Sequence, residues 1–310
     1  MTTTIPYTKL VGVGNDFVLL DTLRHDLASL RARWPQVARR LCDRRKGIGA
    51  DGLLVLEPSR VADVRMRIFN PDGSEPPMCG NGIRCLAWYA HRTGTTGKLL
   101  SIETGSGIRQ AEIQGAHRVR VDMGTPRLVE HLPELRVKGE WLGHADVVNS
   151  GVPHLVCWVE DVGAVNVERL GRTLRFHRRF QPNGTNVDFV TYLSSRDLKD
   201  KRLGKPVHCI RVAMRTYERG VEGETKACGT GAVAAATAAV HAHALRAQRR
   251  RTSRLEWFAV EVLVSGGVLR VQLYVKSPFD ENRLTFTHAF LEGTAQQVAQ
   301  GTFPWNGRAA

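Results

Sequence analysis

Apolar and polar positions alternate at period two in several short stretches of this chain, and two runs carry a different, helical pattern. Val64-Arg65-Met66-Arg67-Ile68-Phe69 and Ile210 to Tyr217 alternate as half-buried strands do. Further strands are predicted at Leu53–Leu56, Arg118–Asp122, Leu155–Val159, Val187–Leu193, Val260–Val264 and Val268–Val275. Leu10 to Asp21 reads as two strands joined by a glycine turn. Trp34–Cys42 reads as a helix with Pro35 in its first turn. Ile83–His91, stopping near Gly94, and the uncharged run Ala227–Leu245 read as helices apolar on nearly every face, and therefore buried.

Each of these two helices follows a Cys-Gly-x-Gly stretch: Cys79-Gly80-Asn81-Gly82 in one case, Cys228-Gly229-Thr230-Gly231 in the other. The cysteines stand 149 residues apart, about half of the 310-residue chain. Matching half-chain patterns imply an internal duplication. The fold expected is α/β of the α+β kind: two pseudo-symmetric domains, each a curled, mainly antiparallel sheet around a central helix. The expected domains are 1–128, completed by the segment 284–310, and 129–283.

Composition narrows the function. A 42% apolar content supports sizeable cores, and 7% aromatic content argues against stacking platforms for bases. The formal charge of +14 raises nucleic acid as a partner, through clusters such as Arg44-Arg45-Lys46, Arg178-Arg179 and Arg249-Arg250-Arg251. No nucleic-acid motif accompanies them, so a solvated basic exterior is expected instead. The Ala-rich run is too weakly hydrophobic for a membrane span, and Met1 to Pro6 lacks the features of a secretory signal. Six irregularly spaced cysteines then read as free thiols in a reducing cytoplasm. No CxxC pair or His/Cys cluster at metal spacing occurs, so no metal site is expected. Gly12-Val13-Gly14 is not a dinucleotide fingerprint, because Phe17 occupies the third glycine position and no helix follows.

The chemistry lies in the two cysteines. A helix N-terminus presents unpaired N–H groups and the positive end of the macrodipole, which favours thiolate and binds anions. Two thiols on opposite faces of one carbon suit proton exchange at an amino-acid α-carbon, one as base and the other as acid. First-turn amides would hold the carboxylate and the charge developing on it. No electron-sink cofactor is expected. Cys42, Cys85, Cys157 and Cys209 read as core residues.

Met78-Cys79-Gly80-Asn81-Gly82-Ile83-Arg84-Cys85 and Ala227-Cys228-Gly229-Thr230-Gly231 resemble the two signatures of the diaminopimelate epimerase family. Gly14-Asn15-Asp16-Phe17, Asp43-Arg44 with Gly47 to Gly52, Phe69-Asn70-Pro71-Asp72-Gly73-Ser74, Asn186-Val187-Asp188-Phe189 and Glu218-Arg219-Gly220 resemble its other blocks, in order. The resemblance implies a cofactor-independent, two-base enzyme that converts LL- to meso-diaminopimelate for lysine and cell-wall synthesis. It implies a homodimer with a small-molecule substrate. Residue by residue, it makes Cys79 and Cys228 the catalytic pair. Gly80, Asn81, Gly229 and Thr230 would hold the reacting carboxylate, while Asn15, Asn70, Asn186, Glu218 and Arg219 grip the rest of the substrate. His154, with Glu218, would tune the thiols. Val152 stands where many members have asparagine, removing one amide that meets substrate. A racemase for glutamate or histidine is therefore the alternative reading. A thiol-redox protein would leave Asn15, Asn70, Asn186 and Arg219 without a purpose.

Overall fold

A computed structural model describes residues 3–137, 140–199, 206–247, 255–276 and 284–305. The chain forms two compact units, Met1–Val121 with Gly293–Ala310, and Asp122–Glu292. These divisions fall at 121 and 293 rather than at 128 and 284, inside two strands, Arg118–Gly124 and Thr285–Thr294.

The first unit contains β1 (Thr3–Gly12), β2 (Asn15–Asp21), α1 (Trp34–Cys42), β3 (Gly52–Glu57), β4 (Val64–Phe69), α2 (Gly80–Arg92), β5 (Leu99–Thr104), β6 (Gly107–Ile113) and β7 (Arg118–Gly124). The second contains β8 (Arg127–Val137), β9 (Glu140–Asn149), β10 (Pro153–Trp158), α3 (Val167–Arg175), β11 (Asn186–Lys199), β12 (Pro206–Glu218), β13 (Gly223–Thr225), α4 (Gly229–Ala247), β14 (Leu255–Val264), β15 (Gly267–Lys276) and β16 (Thr285–Thr294). The chain returns to the first unit as β17 (Gln296–Trp305), which lies antiparallel to β1.

The duplication is visible in the strand pairing itself. From β17 through β1 to β7, successive pairs run antiparallel, antiparallel, parallel, antiparallel, parallel, antiparallel, antiparallel. From β8 through β12 and on through β14 to β16, the same order of senses recurs. α1 and α3 each sit in the crossover before the first parallel neighbour, and α2 and α4 each precede the second. The strand that plays the part of β8 in the first unit is therefore β17, supplied by the C-terminus. That gives Gly301 to Trp305 a place in the sheet, paired with β1. Residues 306–310 lie outside the described residues.

Strand patterning explains the layers. In β2 and β3, alternate residues Val18, Leu20, Leu53 and Val55 pack with Trp34, Val37 and Leu41 of α1 in one core. Their neighbours Leu19 and Leu54 are equally buried, and Leu54 reaches Gly82 of α2. Burial on both faces is what parallel neighbours between two helices require. In the second unit Leu155, Cys157, Val187 and Phe189 join Val167, Leu170 and Leu174 of α3. α3 itself was not anticipated: its nine residues carry four charges, and its apolar positions are too few to stand out. Ala232, Ala234, Ala235, Ala236 and Ala238 of α4 are fully buried, and their small side chains let the strands close around it. Among the described residues no helix is long and apolar enough to cross a membrane.

Candidate active site

Both Cys-Gly-x-Gly stretches make the same local structure. Cys79 is the N-cap of α2, in extended backbone geometry. Its Sγ accepts from Gly82 N at 3.4 Å, and its carbonyl from Ile83 N at 2.9 Å. Cys228 does the same for α4, with Gly231 N at 3.3 Å from Sγ and Ala232 N at 2.9 Å from the carbonyl. Each thiol thus takes the part that a Ser or Asp side chain takes in ordinary caps. The helix begins at Gly80 rather than at the expected Ile83, because a sulfur cap lets the glycines form the first turn. Glycine is needed at the third helical position for room. A Cβ on Gly82 would stand 2.9 Å from Leu54 Cδ2, and one on Gly231 2.6 Å from Asp188 Oδ1.

In the first unit a chain of hydrogen bonds extends from this cap. Asn81 is buried, and its amide nitrogen donates to Asn15 Oδ1. Asn15 Nδ2 donates in turn to Asp51 Oδ2 at 3.0 Å. Arg44 bridges Asp51 and Asp16 at 2.6 and 2.7 Å, and Lys9 is 2.7 Å from Asp16. Although burial alone would raise it, the Asp16 carboxyl is held well below its ordinary range by Arg44 and Lys9. Beneath the cap lies Arg84, wholly buried. Its guanidinium donates to Gly80 O at 2.9 Å and to Asn81 Oδ1. Burial pulls this guanidinium down to about 10, against the opposing pull of Cys85 and Cys79. Asn70 ends β4 in the expected turn, its side chain donating to Ser74 Oγ at 2.9 Å.

In the second unit the register of three strands builds the surroundings of Cys228. His154 stands opposite Asn186, and Asp188 opposite Thr216. Since Leu155, Val187 and Tyr217 face α3, period two turns His154, Asn186, Asp188 and Thr216 to the other face, toward α4. His154 Nδ1 lies 2.7 Å from Asp188 Oδ2, and Thr216 donates to Asp188 Oδ1 at 2.7 Å. His154 Nε2 is 3.0 Å from Thr230 Oγ1, which is 3.5 Å from Cys228 Sγ. An ionised Asp188 only accepts, so Nδ1 donates to it. The Thr230 hydroxyl thus stands between the imidazole and the thiol, within hydrogen-bond reach of both. Ser150 fixes the Thr230 carbonyl at 2.9 Å.

The side chain of Asn186 is engaged within the protein. It donates to Pro153 O at 3.0 Å and accepts from Arg219 N at 2.8 Å. It holds the Glu218-Arg219 backbone, while the Arg219 guanidinium is partly exposed, 3.5 Å from Asn183 O. Burial pushes the Glu218 carboxyl up.

One expectation is overturned. A helix start should lower a thiol's pKa, yet the Cys228 thiol lies well above its ordinary value. Burial dominates, and the carboxylates of Glu218 and Asp188 add to it. Cys42 and Cys85 are pushed up to about 12, also by burial, as the core thiols they were expected to be. No disulfide joins any of the six cysteines. Arg84, Asp188 and Thr216 were not singled out from the sequence. Arg84 lies inside a quoted signature, and its setting next to the cap was the available signal.

Part of the basic exterior is paired internally. Arg44 serves Asp16 and Asp51, and Arg179 meets Glu130 at 2.5 Å. Arg249, Arg250 and Arg251 lie outside the described residues.

Comparison with known proteins agrees with this layout. A family model described as diaminopimelate epimerase matches residues 7–129 and 147–280. The diaminopimelate epimerase of Moorella thermoacetica is 40% identical, covering 96% of this chain and 99% of its own. That of Archaeoglobus fulgidus is 36% identical, covering 97% of each. Among solved structures, a phenazine biosynthesis protein of Bacillus anthracis has a TM-score of 0.65 at 17% identity, covering 97% of this chain and 99% of the other. A hydroxyproline epimerase of Agrobacterium vitis, solved with bound trans-4-hydroxy-L-proline, has a TM-score of 0.61 at 15% identity, covering 97% and 92%. At such identities these two share the fold alone.

Relatives named diaminopimelate epimerase, at 36–40% identity over nearly the whole chain, place the protein in the racemase and epimerase class of enzymes. Within that class the chain belongs to the diaminopimelate epimerase family.

Proposed function

We propose that this protein converts LL-diaminopimelate to meso-diaminopimelate, a step serving lysine biosynthesis, with Cys79 and Cys228 as its two bases. The observation that carries the reading is the matched pair of thiol caps, one at the start of each unit's buried helix. A thiol fixed to its own helix start sits where first-turn amides can also receive a carboxylate. In one direction Cys228, a neutral thiol at rest, is the acid, and Cys79 is the base. In the other direction the roles exchange. Amides at Gly80, Asn81, Gly229 and Thr230 hold the reacting carboxylate, so no Schiff-base electron sink is needed.

Asn15 and Asn70 of the first unit, with Glu218 and Arg219 of the second, receive the remainder of the substrate. Arg219 offers a fork for the distal carboxylate, and Asn186 acts by fixing the Arg219 backbone. His154 and Glu218 set the proton affinity of Cys228, His154 through Thr230. We infer further that the enzyme works in the cytoplasm as a homodimer on this small molecule, without nucleic acid or membrane as partner. Internal pairing of Arg44 and Arg179 supports the second part of that inference.

The test is chromatographic: purified protein, LL-diaminopimelate and no added cofactor, with glutamate, histidine and lysine in parallel. Formation of the meso isomer, faster than racemisation of the other three, is the expected result. Faster turnover of glutamate or histidine would replace this reading with that of another amino-acid racemase.

A further inference from the structure

Three side chains far apart in sequence converge in the second unit, away from the groups described above. His131 on β8, Asp146 on β9 and His241 on α4 bring one donor atom each to within 4.8 Å of one another. His131 Nδ1 is 2.8 Å from Asp146 Oδ1, and His241 Nδ1 is 3.5 Å from the same oxygen. Asp146 is 1% exposed, and its second oxygen accepts from Trp158 Nε1 at 2.8 Å. His241 is 9% exposed, and its Nδ1 is a buried atom that makes no hydrogen bond.

Hydrogen bonding alone leaves this cluster incomplete. A buried ring nitrogen aimed at a carboxylate without bonding to it carries an uncompensated cost. A tetrahedral ion with ligand bonds of about 2.1 Å sets its donors about 3.4 Å apart. The His241–Asp146 separation already has that length, and the His131–Asp146 pair needs to open by about 0.6 Å. Trp158 supplies the outer hydrogen bond that ligating carboxylates commonly have. The half-exposed His131 leaves a fourth position open to water.

We propose that His131, Asp146 and His241 form a divalent transition-metal site, with zinc(II) as its best-fitting ion. Two imidazoles and one carboxylate favour zinc over magnesium or calcium, which prefer all-oxygen sites. His241 stands 13 positions beyond Cys228, about 20 Å along the helix. The ion therefore joins β8, β9 and the far end of α4 and takes no part in proton exchange. Its ligands, at 131, 146 and 241, show no short-range spacing, so a sequence reading found no metal site.

The test uses untagged protein, stripped with a chelator and kept reduced with a phosphine. Cobalt(II) serves as a spectroscopic probe and zinc(II) as competitor. The expected result is one cobalt per chain with visible d–d absorption and no thiolate charge-transfer band. Zinc should displace it, with a Kd of about 1 µM or tighter, and raise the thermal unfolding midpoint. His131→Ala, at a half-exposed position that tolerates truncation, should weaken zinc binding about 100-fold or more and abolish the thermal shift. His241→Leu should do the same. Wild type and His131→Ala binding zinc equally well would overturn the proposal. So would a cobalt spectrum dominated by thiolate absorption, or no zinc binding at all.

Discussion

In the second unit, His154 Nδ1 lies 2.7 Å from Asp188 Oδ2, and both side chains are fully shut off from solvent. The pair fixes which imidazole nitrogen carries the proton, and through Thr230 it decides what the Cys228 thiol faces. Asp188→Asn keeps the volume but turns one of the two accepting oxygens into a donor, so His154 and Thr216 can no longer both donate to it. It should lower kcat about 100-fold or more while changing KM little. Steady-state kinetics on a variant shown to be folded by circular dichroism checks this. A kcat within twofold of wild type would remove the pair from the account.

Arg84 makes a corresponding prediction for the first unit. Replacing it by methionine removes the donor to Gly80 O and Asn81 Oδ1 and leaves both acceptors buried. Arg84→Met should destabilise the protein by about 1–3 kcal/mol and raise KM, because Asn81 and Asn15 lose their anchor. Urea unfolding together with KM measures both effects. Unchanged stability would show that the buried guanidinium is dispensable.

The raised thiols bear on stability at alkaline pH. A buried cysteine whose folded pKa exceeds its unfolded value keeps its proton where the unfolded chain loses it. Its contribution is complete below about 9 and is lost as pH rises toward about 12, at about 1.4 kcal/mol per pH unit for each thiol. Denaturation midpoints should be level from pH 7 to 8 and fall steeply above about 9, through Cys42, Cys85, Cys157 and Cys228 together. Cys42→Ala should be less stable at pH 7 but show a shallower alkaline slope. A level profile to pH 10.5 would contradict the assigned shifts.

Much of this was legible in the chain. The two buried helices stood out because a mostly apolar run after Cys-Gly-x-Gly has few alternatives, and α1 spans Trp34–Cys42 as expected, with Pro35 in its first turn. β17 was harder to see as a strand, since Gln296 to Trp305 is mostly exposed and alternates weakly. Asp188 and Thr216 were passed over for a different reason. Only the pairing of β11 with β12 brings them together, and register is a long-range property that short-range spacing does not encode. The rise of the Cys228 thiol was missed likewise: a helix start is visible in sequence, but the carboxylates of Glu218 and Asp188 beside it are not.

Substrate choice turns on Arg219 and Val152. A charge-assisted fork to a distal carboxylate is worth roughly 1.5–3 kcal/mol, against about 0.5–1.5 kcal/mol for one neutral amide contact. Diaminopimelate should therefore stay preferred over lysine, which lacks that carboxylate. Arg219→Lys should lower kcat/KM for diaminopimelate by about 10- to 100-fold, and Val152→Asn should leave it unchanged or improve it. Competition between the two substrates at subsaturating concentration decides the matter. Equal rates would assign Arg219 another task.

The central claim is proton exchange at one α-carbon by Cys79 and Cys228. It is tested most directly by incubating LL-diaminopimelate with purified enzyme in deuterium oxide, without added cofactor, and following α-deuterium incorporation by mass spectrometry and NMR. The account predicts deuterium at the inverted centre of the meso product, and loss of inversion in both Cys79→Ala and Cys228→Ala. Full epimerisation by either variant, or wild-type inversion that carries no solvent deuterium, would contradict it.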